Sequence, residues 1–137
     1  MHMQPHDDLI ARAAALIRPW RTPDGRLHGD VGAVVVSADG RIYEGICVDT
    51  PSWGLCAERS ALAAMITQGQ YRARTVVAVW RDPDSQALHV LPPCGVCREF
   101  LRQIDAGNLD TEIVLGRAQS EPLRHLLPHH AWPSPIE

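Results

Sequence analysis

Residues 31–48 read VGAVVVSADGRIYEGICV, and this stretch decides the fold prediction. Val31–Ser37 is an apolar, β-branched run with the length of a buried strand. Residues 38–40, Ala-Asp-Gly, are typical of a tight turn, because Asp and Gly tolerate the backbone angles that such turns require. Arg41–Val48 follows as the antiparallel partner strand. The stretch therefore predicts a β-hairpin whose first strand is buried.

Helices and strands alternate along the rest of the chain. This interleaving predicts a sheet covered on both faces, a three-layer α/β/α sandwich with a mixed five-stranded sheet. A length of 137 residues fits one domain over residues 1–137, with residues 1–7 and 133–137 as flexible tails. The elements predicted outside the hairpin are helices at Asp8–Trp20, Leu55–Gln68, Cys94–Ile104 and, as a short turn, Leu123–Leu127, and strands at Thr75–Arg81, Leu88–Leu91 and Thr111–Leu115.

The composition excludes several kinds of chemistry. All 13 residues counted as Lys or Arg are Arg, so a lysine nucleophile, a lysine Schiff base and the lysine of a phosphate-binding loop are absent. The net charge of −3 and the lack of a basic stripe argue against a nucleic-acid partner. No apolar run approaches the length that spans a bilayer. Residues 1–8 carry no secretory signal, so we expect a cytoplasmic protein with reduced thiols.

Two short cysteine motifs carry the candidate chemistry. Cys56 and Glu58 lie at the predicted start of one helix, and Cys94 and Cys97 lie at the start of another. Thiols at helix starts favour the thiolate form, which is the form that binds zinc. Three cysteines leave the fourth zinc position open, as in a catalytic site, with Glu58 as a proton shuttle beside it. We expect Arg59 to offset the excess negative charge by a hydrogen bond to a thiolate.

Other interpretations of these cysteines remain open at this point. Cys94 and Cys97 alone are also typical of a redox pair or of half of a structural zinc site. A closed structural site needs a fourth ligand, for which His28, His89 and His125 are candidates. The fourth cysteine, Cys47, is most simply explained as a buried core thiol on a strand.

The pattern Cys56-Ala57-Glu58-Arg59, followed 38 residues after Cys56 by Pro-Cys-Gly-x-Cys-Arg, resembles the zinc-dependent cytidine deaminase superfamily. It is specifically similar to the small free-nucleoside branch, which uses cysteine as the first zinc ligand. The resemblance implies a cytidine deaminase-like fold and one Zn²⁺ per chain, bound by Cys56, Cys94 and Cys97. It also implies that Glu58 is the general acid and base, and that backbone groups near Ala57 and Pro93 bind the edge of the base.

The resemblance further implies the reaction and the assembly. The expected activity is hydrolytic deamination of a cytosine-type free nucleoside, cytidine or deoxycytidine, with release of ammonia. Blasticidin S or another modified nucleoside is the alternative substrate, and an inactive zinc-stabilised binding module is the alternative outside enzymes. Small members of the branch form homotetramers with active sites at subunit contacts, so a homotetramer, or a homodimer, is expected.

The chain departs from the family pattern where that pattern binds the sugar. Cytidine deaminases use an Asn-x-Glu pair there, and this chain has Cys47-Val48-Asp49 instead. A thiol is a poor substitute for an amide, because it offers one weak donor and a weak acceptor. Asp49 can still accept a hydrogen bond from a hydroxyl, and Trp53 is placed to wall the sugar side. The sequence therefore predicts unchanged zinc chemistry beside an altered sugar-binding region.

Overall fold

A computed structural model of the chain describes residues 2–137. Its elements follow the predicted order, with additions in the loops. The helices are α1 (Asp7–Ala14), α2 (Ala57–Thr67), α3 (Gly95–Ile104) and α4 (Leu123–Leu126), with a 3₁₀ helix at Ala106–Asp110. The strands are β1 (Trp20–Arg21), β2 (Leu27–His28), β3 (Val31–Ser37), β4 (Ile42–Ile46), β5 (Ala73–Arg81), β6 (Leu88–Val90), β7 (Glu112–Val114) and β8 (Ser120–Pro122).

The main sheet has six strands, and the prediction of five was wrong by one. Five strands lie in the order β4-β3-β5-β7-β8, and β6 also pairs with β5. Strand β5 is long enough to pair with β3 along one edge and with both β7 and β6 along the other. Only the β5–β7 pair is parallel, so the sheet is mixed, as predicted. The strand that was not predicted is β8, a Ser-Glu-Pro segment without a strand pattern, and it is extended because it pairs with β7.

Alternate side chains of the central strands enter two different cores. Val34 and Val36 pack on the face that carries α1. Val35 packs on the opposite face, against α2 and α3. These two clusters on either side of one sheet give the three-layer α/β/α architecture, and the fold class is confirmed.

Helix α1 is shorter than predicted. It ends at Ala14 rather than at Trp20, although Ile17 is still buried against the sheet. The apolar pattern therefore continued beyond the helix, because the following turn also faces the core. The segment after it forms a small separate two-stranded hairpin, β1–β2, in which Trp20 pairs with His28. No helix within the described part of the chain has the length and apolarity needed to cross a membrane.

Two glycines set how closely the helices approach the sheet. A Cβ atom at Gly32 would lie 2.2 Å from the carbonyl oxygen of Ala13 in α1. A Cβ atom at Gly45 would lie 2.4 Å from the backbone nitrogen of Ala61 and 2.7 Å from the carbonyl oxygen of Ala57, both in α2. Any larger residue at Gly45 would displace the helix that begins next to Cys56.

The single asparagine of the chain joins three segments of backbone. The Asn108 side chain is fully buried. Its Oδ1 accepts from the Ala73 backbone N–H at 2.9 Å, and its Nδ2 donates to the carbonyl oxygens of Tyr71 and Leu101, each at 3.0 Å. These bonds connect the end of α3 to the start of β5.

We predict that Asn108→Ala lowers the free energy of unfolding by about 3 kcal/mol, because three buried backbone groups lose their partner. The melting temperature should fall by roughly 10 °C, measurable by differential scanning calorimetry. Gln103→Ala, which removes an exposed amide from α3, is the control and should change the melting temperature little. Equal melting temperatures for Asn108→Ala and the wild type would contradict this role.

Candidate metal centre

The three predicted ligands lie at the starts of two helices. Cys56 is the residue directly before α2, and Cys94 is the residue directly before α3. The Cys94 sulfur accepts a hydrogen bond from the backbone N–H of Cys97 at 3.4 Å, which satisfies one of the free N–H groups of the first turn. Both helices therefore direct a thiol toward the same point.

The three sulfurs form one compact cluster. The Cys94 Sγ lies 3.5 Å from the Sγ of Cys56 and 3.5 Å from the Sγ of Cys97, and all three lie within 4.8 Å of one another. Tetrahedral zinc with Zn–S bonds of about 2.3 Å requires sulfurs roughly 3.8 Å apart. The donor set and its spacing thus fit Zn²⁺.

No fourth protein ligand belongs to this cluster among residues 2–137. The three candidate histidines are engaged elsewhere: His28 stacks on Trp20, His89 packs against Trp80, and His125 contacts Glu121 at 2.8 Å. A closed structural site with one of these histidines is therefore not formed. A set of three thiols corresponds to a catalytic zinc site, which keeps one position for water or substrate.

The expectation that helix starts favour thiolates holds for one of the three thiols. Burial disfavours the Cys94 thiolate, but hydrogen bonds from the Cys97 backbone and from the neighbouring thiols outweigh it and lower the Cys94 pKa. Burial raises the pKa of Cys56 and of Cys97, and the charge of Glu58 raises that of Cys97 further. Without a cation the cluster thus resists losing all three protons, and a divalent metal would supply the missing positive charge.

Arg59 places a cation beside the thiols. Its Nη2 donates to the Cys56 sulfur at 3.7 Å, and the residue is 8% exposed. Burial opposes its charge, but the hydrogen bonds to Cys56 and Cys97 prevail and raise the pKa of Arg59. The guanidinium is therefore a permanent positive charge beside the thiols.

Glu58 faces a cavity beside the cluster. The residue is 5% exposed and lies in the first turn of α2. Burial raises the pKa of Glu58, because a low-dielectric setting disfavours the carboxylate. The cavity, here called the metal-side cavity, has a volume of about 160 Å³. It is lined by Val31, Cys47, Cys56, Ala57, Glu58, Leu91, Pro92 and Cys94.

A second cavity adjoins the first and shares Cys47 and Cys56 with it. This outer cavity has a volume of about 250 Å³ and contains two residues predicted to read the sugar, Asp49 and Trp53. The remaining lining residues are Leu27, Asp30, Val48, Leu55 and Arg59. The metal-side cavity thus adjoins a wider and more polar space.

The structure refines the placement of two predicted residues. Pro93 is buried and its carbonyl oxygen accepts from Arg98 at 2.7 Å, whereas Pro92 lines the metal-side cavity. Cys47 is half-buried between the two cavities rather than enclosed in the core, and it follows directly after β4. Its thiol donates to the carboxylate of Asp30 at 2.6 Å.

Sequence reasoning missed Asp30. The residue lies directly before β3, so an acidic side chain precedes a largely apolar strand. That isolated charge was the available signal. Its pairing with Cys47 depends on the register of β3 against β4, in which Gly32 pairs with Ile46.

An α/β/α sandwich with three thiols and a buried glutamate at two helix starts defines a zinc-binding deaminase domain. A family model supports this class: "Cytidine and deoxycytidylate deaminase zinc-binding region" matches residues 4–111. The chain belongs to this family.

Individual relatives point the same way. The chain is 30% identical over 134 residues to a cytidine deaminase of Shewanella pealeana, covering 94% of this chain and 39% of that protein. It is 30% identical over 83 residues to a blasticidin-S deaminase of Bacillus cereus, covering 57% of this chain and 58% of that protein. The chain thus spans less than two thirds of the length of either relative. The solved cytidine deaminase of Mycobacterium leprae superposes with a TM-score of 0.70 at 27% identity, covering 91% of this chain and 98% of that chain.

We predict that Cys56→Ser, Cys94→Ser and Cys97→Ser each weaken zinc binding by more than about 100-fold, because a ligand is lost. The measurement is the zinc content of purified protein after dialysis against a weak chelator. Cys47→Ser is the matched control and should retain about one zinc per chain, since its sulfur lies outside the cluster. Zinc retained in all four variants would exclude this centre.

Proposed function

We propose that the protein is a zinc-dependent hydrolase that deaminates a cytosine-type free nucleoside to its uracil counterpart. The observation that carries this proposal is the three-thiol cluster with Glu58 facing the adjoining cavity. Family membership and the cytidine deaminases among its relatives support the same reaction. In the reaction, the oxygen of water adds at C4 of the base and the exocyclic nitrogen leaves as ammonia.

In this proposal Cys56, Cys94 and Cys97 bind one Zn²⁺. When bound, zinc lowers the pKa of water and supplies a nucleophile near neutral pH. The three thiolates exceed the charge of the metal, and Arg59 partly offsets this excess through its hydrogen bond to Cys56. A smaller negative charge on the ligand set favours ionisation of the water.

Glu58 moves the protons. Its carboxylate accepts the proton of the attacking water and delivers it to N3 of the ring, which makes C4 more electrophilic. The carboxylate then takes the second proton from the new hydroxyl at C4 and gives it to the exocyclic amine. The C4–N bond breaks, ammonia leaves and the C4 carbonyl forms. The burial that raises the pKa of Glu58 suits it to hold a proton between these two transfers.

The cavities suggest how the nucleoside is oriented. The metal-side cavity, which Ala57 lines, has room for a pyrimidine base. We place backbone groups near Ala57 and Pro93 at the edge of the base. The sugar then lies in the outer cavity, near Cys47, Asp49 and Trp53. Arg98 leaves the Pro93 carbonyl free to accept a second hydrogen bond, because a carbonyl oxygen has two lone pairs.

Cytidine and deoxycytidine are the proposed substrates. The cytidine deaminase relative covers 94% of the chain, whereas the blasticidin-S deaminase covers 57%. Blasticidin S and the inactive binding module are therefore less favoured than a cytidine-type activity.

We further propose a homotetramer, or a homodimer, in the cytoplasm. Trp53, which lines the outer cavity, is 75% exposed and Trp132 is 94% exposed, which fits burial against a neighbouring copy. A cytoplasmic location suits a centre that needs three free thiols.

We propose one domain for residues 1–137. That residues 1–7 and 133–137 are flexible tails stays a prediction. Met1 of the first tail lies outside the described residues.

Glu58→Gln tests the assigned proton carrier. We expect this variant to keep its zinc and to lose roughly 100- to 10,000-fold in kcat, because the amide cannot exchange the proton. Zinc content and ammonia release measure the two properties. Glu44→Gln, an exposed glutamate on β4, is the control with unchanged turnover. An active Glu58→Gln variant would refute the assignment.

A substrate panel tests the activity itself. Ammonia release is measured on cytidine, deoxycytidine, cytosine, blasticidin S, adenosine and guanine with zinc-loaded protein. We expect turnover of the first two. Turnover of blasticidin S alone would support the alternative substrate. No turnover of any compound, with one tightly bound zinc per chain, would support the binding module.

A further inference from the structure

The sugar side of the proposed site contains a polar pair that the family pattern does not provide. Asp30 stands directly before β3 and Cys47 directly after β4, so the two residues meet where these adjacent strands end. The Cys47 thiol donates to Asp30 Oδ1 at 2.6 Å. Cys47 lines both cavities, and Asp30 lines the outer one. The pair therefore lies beside the junction of the two cavities, where the bond between base and sugar of a bound nucleoside would lie.

Asp30 retains acceptor capacity. In the part of the chain that the structure describes, the Cys47 thiol is the sole hydrogen-bond partner of its carboxylate. An ionised carboxylate has about four acceptor sites, so most of them remain for a ligand. The residue is half-buried, and a hydrogen bond made there competes less with water than one on the open surface.

The other acidic residue of the outer cavity is less available. The Asp49 side chain is 53% exposed, and its carboxylate lies 3.9 Å from the guanidinium of Arg26. Arg26 also contacts Asp24 at 3.3 Å, so Asp49 belongs to an exposed group of charges. A solvated, paired carboxylate is a weaker acceptor for a substrate hydroxyl than Asp30.

Cys47 is suited to hold Asp30 in place. Burial and the neighbouring Asp30 carboxylate raise the pKa of Cys47, so the thiol keeps its proton and remains a donor. A thiol binds a sugar poorly, but it can fix the orientation of a carboxylate beside it. The residue that replaces the asparagine of the family pattern thus acts on a second side chain.

We propose that Asp30 accepts a hydrogen bond from a hydroxyl of the nucleoside sugar, and that Cys47 is the positioning residue that orients Asp30 for it. The proposal rests on the proposed function, since it places the sugar in the outer cavity. It makes Asp30 a specificity-determining residue in place of the amide-and-carboxylate pair.

The test measures binding of product nucleosides to the zinc-loaded protein by calorimetry, so that no turnover intervenes. The probes are uridine, which has all three sugar hydroxyls, and three analogues. These are 2′-deoxyuridine, 2′,3′-dideoxyuridine and 5′-deoxyuridine, which lack the 2′, the 2′ and 3′, and the 5′ hydroxyl respectively. Asp30→Ala should raise the Kd for uridine on the order of 10- to 100-fold. It should leave unchanged the Kd of the analogue that lacks the partner hydroxyl.

The variants of Cys47 separate positioning from packing. Cys47→Ser keeps a hydrogen-bond donor and should stay within about threefold of wild type for uridine. Cys47→Ala should weaken uridine binding and again leave the analogue without the partner hydroxyl unaffected. Asp30→Asn supplies a second variant of nearly equal volume, with zinc content and melting temperature as folding controls. Asp39→Asn, an exposed acid in the turn at the opposite end of the β3–β4 hairpin, should match the wild type.

Equal losses for every nucleoside, no loss for any, or no binding of uridine to the wild type would overturn the proposal. Its failure differs from failure of the proposed function. Turnover of cytidine with Asp30→Ala acting equally on all probes would refute the role of Asp30 alone. Selective loss of uridine binding without turnover of cytidine would support the role of Asp30 and refute the activity.

Discussion

The close approach of α2 to β4 at Gly45 is the constraint on which the metal centre depends. A side chain at this position would collide with the backbone of Ala57 and Ala61, and α2 would have to move outward. Cys56 stands directly before that helix and would move with it, which would change its distance from Cys94. The sulfurs now lie 3.5 Å apart, and zinc tolerates little error in ligand spacing. A glycine in a strand therefore fixes the geometry of a site formed by helices.

The same arrangement explains why the centre is buried on one side and exposed on the other. Helix α2 carries Glu58 and Arg59 into buried positions in its first turn. The Arg59 charge offsets that of the thiolates, whereas a Glu58 carboxylate adds to it. Cys94 is exposed, so the cluster remains accessible from the direction of α3. Burial of Glu58, the proposed proton carrier, together with access for a substrate is what a hydrolytic centre requires. Both properties follow from placing the ligands at helix starts.

The fold and the metal centre could be predicted because their signals are local. The apolar run of β3, the turn after it and the spacing between Cys94 and Cys97 each lie within a few residues. The end of α1 at Ala14 could not be predicted, since Ile17 beyond it is buried by tertiary packing and extends the helical pattern. Strand β8 owes its extended form to its partner β7. Asp30 was missed for a similar reason, because its contact with Cys47 joins residues 17 positions apart.

The division between helix starts and strand ends lets one half of the site vary without disturbing the other. The metal ligands lie at the starts of α2 and α3. Asp30 lies directly before β3 and Cys47 directly after β4. Cys47 and Cys56 line both the metal-side cavity and the outer cavity. A thiol at position 47, where the family pattern has an amide, therefore changes the polar groups near a bound sugar. The sulfur cluster is complete all the same. The Cys47 thiol can orient the Asp30 carboxylate on the adjacent strand. The hydrogen bond to the sugar that is lost at the end of β4 is therefore replaced by one at the start of β3.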